Sequence, residues 1–441
     1  MFVLTNAWRA VTRRWVISAL TVVVALLVSF GTIASLALLQ ENDAAHGTDY
    51  DAQNPNAMLR PTAATQAKMK ADDAKSTVSH YLDITAYEPY AIAVQEQNLA
   101  FTYSLVSTVP VRQTSSIKAI PGASDASSDK TGGEFQLRSF YDGNAAKSND
   151  YGTYQVVQGK KLKYTDTSFT GALISKSVAK KNNLKVGDKF KVGDPTKKDK
   201  TYEFTVQGIY EYTDGGTAKT DGYAKENREN VIYAAYATTY TYGVTTESDE
   251  SKDTWSKPDL NIVFQFSDVS TYRKFVKIVR QKNLPKGYEV VSPSLDRYEA
   301  SIKPLGEAAD RVRPVMWALA VGGCVVLLAL VIARSWFGRT DEIGMALVSG
   351  VTKPRLGWQF AVETLMLTVV PAVIGLVAGG LGAGAIGAAL AGGHATPATS
   401  GLVWPLVWET TGIIVTLAVV ALLRPATFRN ANLFKASEVK A

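Results

Sequence analysis

A single cysteine, Cys324, and three histidines, His46, His80 and His394, are all that this 441-residue chain offers of the side chains that most often hold metals or form thiol nucleophiles. One cysteine makes no intrachain disulfide, and this one lies in an apolar run, so the long polar part of the chain must fold on its hydrophobic core alone. The histidines are far apart in sequence, and none has a partner at the spacing of a metal site. There is no G-x-S-x-G, and neither Lys130-Thr131 nor Lys160-Lys161 follows the glycine pattern of a phosphate-binding loop. No catalytic residue and no metal ligand is expected. The net charge of +7 is spread over flanks and surface lysines and gives no sign of nucleic-acid binding.

Charge is also missing locally. The chain is 46% hydrophobic and 20% charged, but residues 15–39, 315–333, 364–390 and, less clearly, 402–423 carry almost no charge. Each is near the roughly 20 residues that cross ~30 Å of hydrocarbon. The first is longer than the 7 to 15 apolar residues of a signal peptide and is expected to stay as a span. Arg9, Arg13 and Arg14 precede the first run. Arg334, Arg339, Lys353 and Arg355 lie between the second and third, and Arg424, Arg429, Lys435 and Lys440 follow the fourth. Residues 391–401 have neither Lys nor Arg, so the cation bias puts both termini in the cytoplasm and the large polar domain outside. The expected fold class is a membrane α-helical protein of four transmembrane helices, with a large extracytoplasmic α+β domain inserted between helices 1 and 2. The expected boundaries are 1–14 cytoplasmic, 15–39 first helix, 40–314 external domain, 315–337 second helix and 338–355 cytoplasmic loop. They continue with 356–390 third helix, 391–401 external loop, 402–423 fourth helix and 424–441 cytoplasmic tail.

Within the polar domain, 63–78 reads as helical, 91–95, 101–106 and 135–141 as strands, and 121–133 as a polar loop. From 171 the pattern is strand, helix ended by Asn182-Asn183, turn at Val186-Gly187-Asp188, and strands from 189, over 202–210 and over 230–237. Residues 155–245 therefore suggest a small barrel-like β-rich sub-domain. Its lysines, Lys176, Lys180, Lys181, Lys185, Lys189 and Lys191 among them, fit a solvated face better than a polyanion dock. Residues 260–292 spell strand, helix, strand. A polar helix from 295 to 313, interrupted only by Pro304 and Pro314, then leads into the second run as a fairly stiff connection.

Two acids border the hydrocarbon, Glu363 near the cytoplasmic end of the third run and Glu409 in the outer half of the fourth; an interfacial position or pairing with Arg or Lys is favoured over a proton or substrate path. The pairs Gly375 with Gly379 and Gly380 with Gly384 predict close packing of the third helix on another, in the same chain or a different one. Between the second and third runs, 340–349 can form a short helix capped by Thr340, with Asp341 and Glu342 at its positive end and Gly350 ending it. Ile343, Ala346 and Leu347 share an apolar face, and Thr352 caps the next helix, with Pro354 in its first turn.

Glu342-Ile343-Gly344, Gly350 and Glu363, with one span, a large external domain and three more spans, resemble the FtsX-like and MacB-type ABC transporter permeases. Residues 156–162, 172–190, 205–210 and 230–233 resemble that family's external domain, and 425–436 its tail. The resemblance implies a bacterial plasma-membrane permease that pairs with a second permease chain, itself or a sister. A separate cytoplasmic ATPase would bind ATP and Mg, leaving no cofactor on this chain. The coupling segment would then comprise Arg339, Glu342, Ile343, Gly344, Leu347, Gly350, Lys353 and Arg355. Relatives often carry arginine where this chain has Leu347, which shifts weight to Arg339, Lys353 and Arg355. Efflux or mechanical transmission acting on an antimicrobial, peptide or lipid-like substrate is the leading expectation; a membrane receptor that activates a cell-wall hydrolase is the alternative. The lack of disulfides fits a single-membrane bacterium.

Overall fold

The computed structural model describes residues 2–124, 126–214, 222–245 and 253–428, so Arg429, Lys435, Lys440 and most of the tail expected at 424–441 lie outside the described residues. Two compact units are present, Met1–Asp49 with Ala300–Ala441, and Tyr50–Glu299. In chain order the helices used below are α1 (Phe2–Arg13), α2 (Trp15–His46), α3 (Glu88–Glu96), α4 (Lys176–Asn182), α5 (Val269–Gln281), α6 (Pro293–Trp317), α7 (Gly323–Trp336), α8 (Thr340–Val348), α9 (Lys353–Leu390) and α10 (Ser400–Ala426). The strands are β1 (Asn56–Pro61), β2 (Thr102–Val111), β3 (Phe135–Phe140), β4 (Tyr154–Gly159), β5 (Gly171–Ser175), β6 (Lys189–Gly193), β7 (Thr201–Tyr212), β8 (Val231–Ala235), β9 (Asp259–Gln265) and β10 (Tyr288–Val291).

Among the described residues, four helical stretches are long and apolar enough to cross a membrane: Trp15–Asp51, Pro293–Trp336, Lys353–Leu390 and Ser400–Ala426. Helix α9 packs chiefly on α2 and α10. The second stretch is longer than its apolar run, because α6 continues through both Pro304 and Pro314. It then widens into a π-helical turn, Ala318–Gly322, before α7. Within the segment 1–14, read only as cytoplasmic, Phe2–Arg13 form the separate helix α1, which lies along α9.

The other unit is built on a ten-stranded sheet in the order β10-β1-β9-β2-β3-β8-β5-β7-β4, with β6 on β7. Pairing is antiparallel except for β3 with β8 and β5 with β7. The strands assigned to a separate barrel-like unit are thus part of one continuous sheet, joined to the rest through β3 and β8. Alternation alone does not reveal such long-range pairing. Helix α4 ends as its sequence predicts, with Asn183 left-handed at φ 57° and Ser175 accepting from the Val178 amide at its start.

Two local expectations are corrected. Residues 91–95 lie in α3, where Pro89 sits in the first turn and Tyr90, Ala93 and Val94 are buried on one face against Phe264 and Phe275. The stretch 63–78 is not one helix but two short ones, Ala63–Gln66 and Ala74–Val78, each started by a side-chain cap from Thr62 and Asp73. On the surface, Lys176 pairs with Glu211, and Lys189 and Lys191 with Glu203, as ordinary exposed ion pairs do.

One lysine behaves differently. Lys225 is buried, donates to the Thr131 carbonyl at 2.5 Å and lies 3.5 Å from the Trp255 ring centroid. Burial pushes its pKa down to about 7, whereas an unfolded lysine titrates near 10.4. The stability tied to its neutral form is therefore full above about pH 10.4 and lost as pH falls through about 7. Thermal unfolding of this unit is expected to shift upward between about pH 6 and pH 10, and Lys225→Met to flatten that rise.

Candidate functional site

The turn Phe337-Gly338-Arg339 joins α7 to α8, with Gly338 at φ 65° permitting the sharp reversal. Arg339, not Thr340, occupies the N-cap position of α8, and no side chain caps the helix there. The Arg339 guanidinium is turned inward instead, at 1% exposure, and grips two carboxylates. Its two terminal nitrogens donate to Glu363 at 2.7 and 3.1 Å, while Nε and one terminal nitrogen donate to Glu342 at 3.0 and 2.9 Å. Its plane lies 3.9 Å from the Phe360 ring centroid. Such forked, stacked binding suits arginine and not lysine.

The network extends to three further helices. Arg334, on α7, pairs with Glu363 at 3.5 Å and donates to Ser18 of α2. Gln359 donates to Glu363 at 3.2 Å. Arg14, between α1 and α2, donates to the carbonyls of Phe337 and Gly338 at 3.1 and 2.6 Å, satisfying groups that the end of α7 leaves open. Arg13 reaches Glu342 at 3.4 Å in an exposed pair. Partial burial opposes the charged Glu342 carboxylate, but the hydrogen bonds and charge of Arg339 outweigh it and hold its pKa below the ordinary glutamate value. The same two carboxylates keep Arg339 firmly protonated despite its burial.

This arrangement divides the residues assigned to the coupling segment. Ile343 and Gly344 are buried, and Ala346, Leu347 and Val351 pack on a core of Leu356, Phe360, Leu417, Ala421 and Phe428. Lys353 donates to the Phe428 carbonyl at 2.9 Å, while Arg355 is exposed. Arg339 thus points inward as a clamp, Ile343 and Gly344 are buried, and Leu347 is half-buried against the same core. The outward face consists of Asp341, Met345, Val348, Ser349 and Gly350, the last at φ 84° and ending the helix as its position predicts. Met345 and Val348 are 65% and 78% exposed. Neither was singled out from the sequence, although the face opposite Ile343 and Leu347 was implied by their spacing. Beside this helix a cleft of about 380 Å³ is lined by Asn6, Arg9, Ala10, Arg13 and Glu342, so α1 adjoins the same surface.

The glycines of α9 resolve into one working pair. A Cβ on Gly375 would meet Ser29 Oγ at 2.1 Å and the Leu26 carbonyl at 2.7 Å, and one on Gly379 would meet Ile33 at 2.5 Å and the Phe30 carbonyl at 2.7 Å. They seat α9 on α2 of the same chain. Gly380 has looser surroundings and Gly384 none within 4 Å, so the second pair makes no such contact. Glu363 is paired, whereas Glu409 is exposed on α10 and has no ion-pair partner among the described residues.

Four long apolar helices closed by a buried arginine–carboxylate clamp, in a chain that also carries a large sheet unit, are the setting in which the comparisons fall. Residues 315–428 match the family model described as the FtsX-like permease C-terminal region. Together with the relative described next, this match supports an FtsX-like ABC permease family. That relative is an uncharacterized ABC transporter permease, YclI, of Bacillus subtilis (strain 168), 24% identical over 52% of this chain. The match spans 46% of that relative's length.

Proposed function

We propose that this chain is the membrane subunit of an ABC transporter, driven by a separate cytoplasmic ATPase that grips the outward face of α8. The observation that carries this reading is a short helix anchored on one side by Arg339 and Glu363 while it presents Met345 and Val348 bare on the other. A lone exposed apolar pair is common, but one fixed to a clamped helix can receive force and pass it on. In this reading Arg13, Arg14, Arg334, Arg339, Lys353 and Arg424 mark the cytoplasmic side, both termini lie there, and residues 50–299 face outward. A second permease chain completes the assembly, the ATPase holds ATP and Mg, and the outer unit moves in response. The resemblance of the Glu342-Ile343-Gly344, Gly350 and Glu363 pattern to MacB-type permeases is the support for mechanical transmission to a peptide or lipid-like substrate outside the bilayer.

The test is reconstitution with the ATPase that co-purifies with the chain. Met345→Glu with Val348→Glu is expected to lower permease-stimulated ATP hydrolysis by about tenfold or more, on the scale of losing a central contact, with no change in thermal unfolding. Full stimulation by that variant, or failure of any ATPase to co-purify, rejects the reading.

A further inference from the structure

The sheet unit carries an open cleft of about 800 Å³ where β1 and β2 begin and β9 ends, with the first turn of α6 and the short helix Gly143–Lys147 completing its wall. That volume is in the range of sites for small ligands. Phe101 and Phe266 supply most of its apolar surface, and Phe266 is held from behind by Phe275 at a centroid distance of 5.0 Å. Among the described residues two charged side chains line the cleft, Lys147 and Arg297, and both are cations. Arg297 is fixed in place. Its Nε donates to the Pro293 carbonyl at 2.9 Å and a terminal nitrogen donates to the Lys147 carbonyl, so the two cations share one corner.

Neither cation has a carboxylate partner among the described residues. Of the acids whose charge reaches Arg297, Asp150 and Asp214 are already bound to Arg138 and Arg228, and Asp296 is not part of the wall. Three side-chain amides are uncommitted as well: Asn54, Asn144 and Gln265 line the cleft, and their amides make no hydrogen bond to another described residue. Asn56 shows the contrast. Its amide nitrogen donates to Ser148 at 2.6 Å and its oxygen accepts from Ser294 at 2.9 Å, so it is occupied in holding the wall together.

We propose that this cleft binds a short acidic peptide in extended form, with a carboxylate between Lys147 and Arg297, backbone groups on the three free amides and an apolar side chain on Phe101 and Phe266. A carboxamide offers both a donor and an acceptor, which is what a peptide group requires. An arginine fork beside an ammonium suits a carboxylate. A phosphate group has acceptors alone and would leave the amide oxygens unmet. Arg297 also belongs to α6, so an occupant touches the helix that runs on into the second long apolar stretch. The assignment rests on the outward placement of residues 50–299 proposed above, but binding itself involves no ATPase, so the two readings fail separately.

The test is calorimetric titration of the full chain, in phosphatidylcholine nanodiscs, with acetyl-Ala-Phe-Ala-Glu-Glu-amide and with the same peptide carrying Gln in place of both Glu. Kd for the acidic peptide is expected to be lower by about tenfold or more, the scale of hydrogen bonds to a charged group. Lys147→Glu, at an exposed position, is expected to raise Kd for the acidic peptide by about tenfold or more and to leave that for the neutral peptide nearly unchanged. Lys185→Glu makes the same change of net charge at another exposed position of the sheet unit and is expected to leave both values nearly unchanged. Equal binding of the two peptides by the unmodified chain overturns the proposal, as does no binding of either. Equal weakening by Lys147→Glu and Lys185→Glu would mark general attraction to a basic surface and overturns it too. So does displacement of the acidic peptide by phosphatidylglycerol vesicles, which would give the cleft to a lipid headgroup.

Discussion

Glu363→Ala is expected to destabilise the helical unit by about 3 to 5 kcal/mol, the usual cost of removing one partner from a buried ion pair. Arg339 and Glu363 are 1% and 2% exposed, and Arg334 is 3% exposed, so the alanine leaves two guanidinium groups facing one remaining, half-exposed carboxylate, Glu342. Glu342→Ala is expected to cost far less, because Arg339 keeps its two bonds to Glu363. The measurement is thermal unfolding of the detergent-solubilised chain, followed by a probe confined to the helices. Arg339→Leu combined with Glu363→Leu should recover part of the single-mutant loss, since it removes one of the two stranded guanidinium groups and leaves only Arg334 without its carboxylate. If Glu363→Ala and Glu342→Ala unfold together near the native temperature, the clamp does not hold the helices as described.

The second large effect concerns the seam between α9 and α2. Gly375→Leu or Gly379→Leu drives a side chain into the backbone of α2, where neither partner can yield by rotating a flexible side chain. Each is expected to cost about 1 to 3 kcal/mol or more, and the pair to prevent accumulation of folded protein. Gly384→Leu is the internal control, expected to stay within about 0.5 kcal/mol of the parent because its position is open. Equal tolerance at 375 and 384, read from expression and melting temperature, would show that the seam is looser than its geometry indicates.

The helices of the membrane-type unit were legible because charge-free runs near 20 residues admit few other readings, and Glu363 was legible as a residue needing a cation. Which cation it takes was not, because Arg339 and Arg334 reach it through a turn whose path depends on Gly338. The same turn explains why Arg339 was read as a cation of the coupling segment and its pairing with Glu363 was not foreseen. Helix α1 escaped notice although its apolar residues recur at helical spacing, since they are interleaved with Arg9 and Arg13 and read equally well as an unstructured flank. In the sheet unit, strands with clear alternation were found and their partners were not; register between β3 and β8 is a property of side chains far apart in sequence. Residues 91–95 show the remaining limit, because five apolar-rich residues fit either period until Phe264 and Phe275 are known to lie against one face.

The π-helical turn at Ala318–Gly322 fits an additional residue into one winding. A wheel drawn with a single period from Pro293 to Trp336 consequently leaves that turn nearly 100° out of phase, so the stripes on α6 and α7 have to be plotted as two separate wheels.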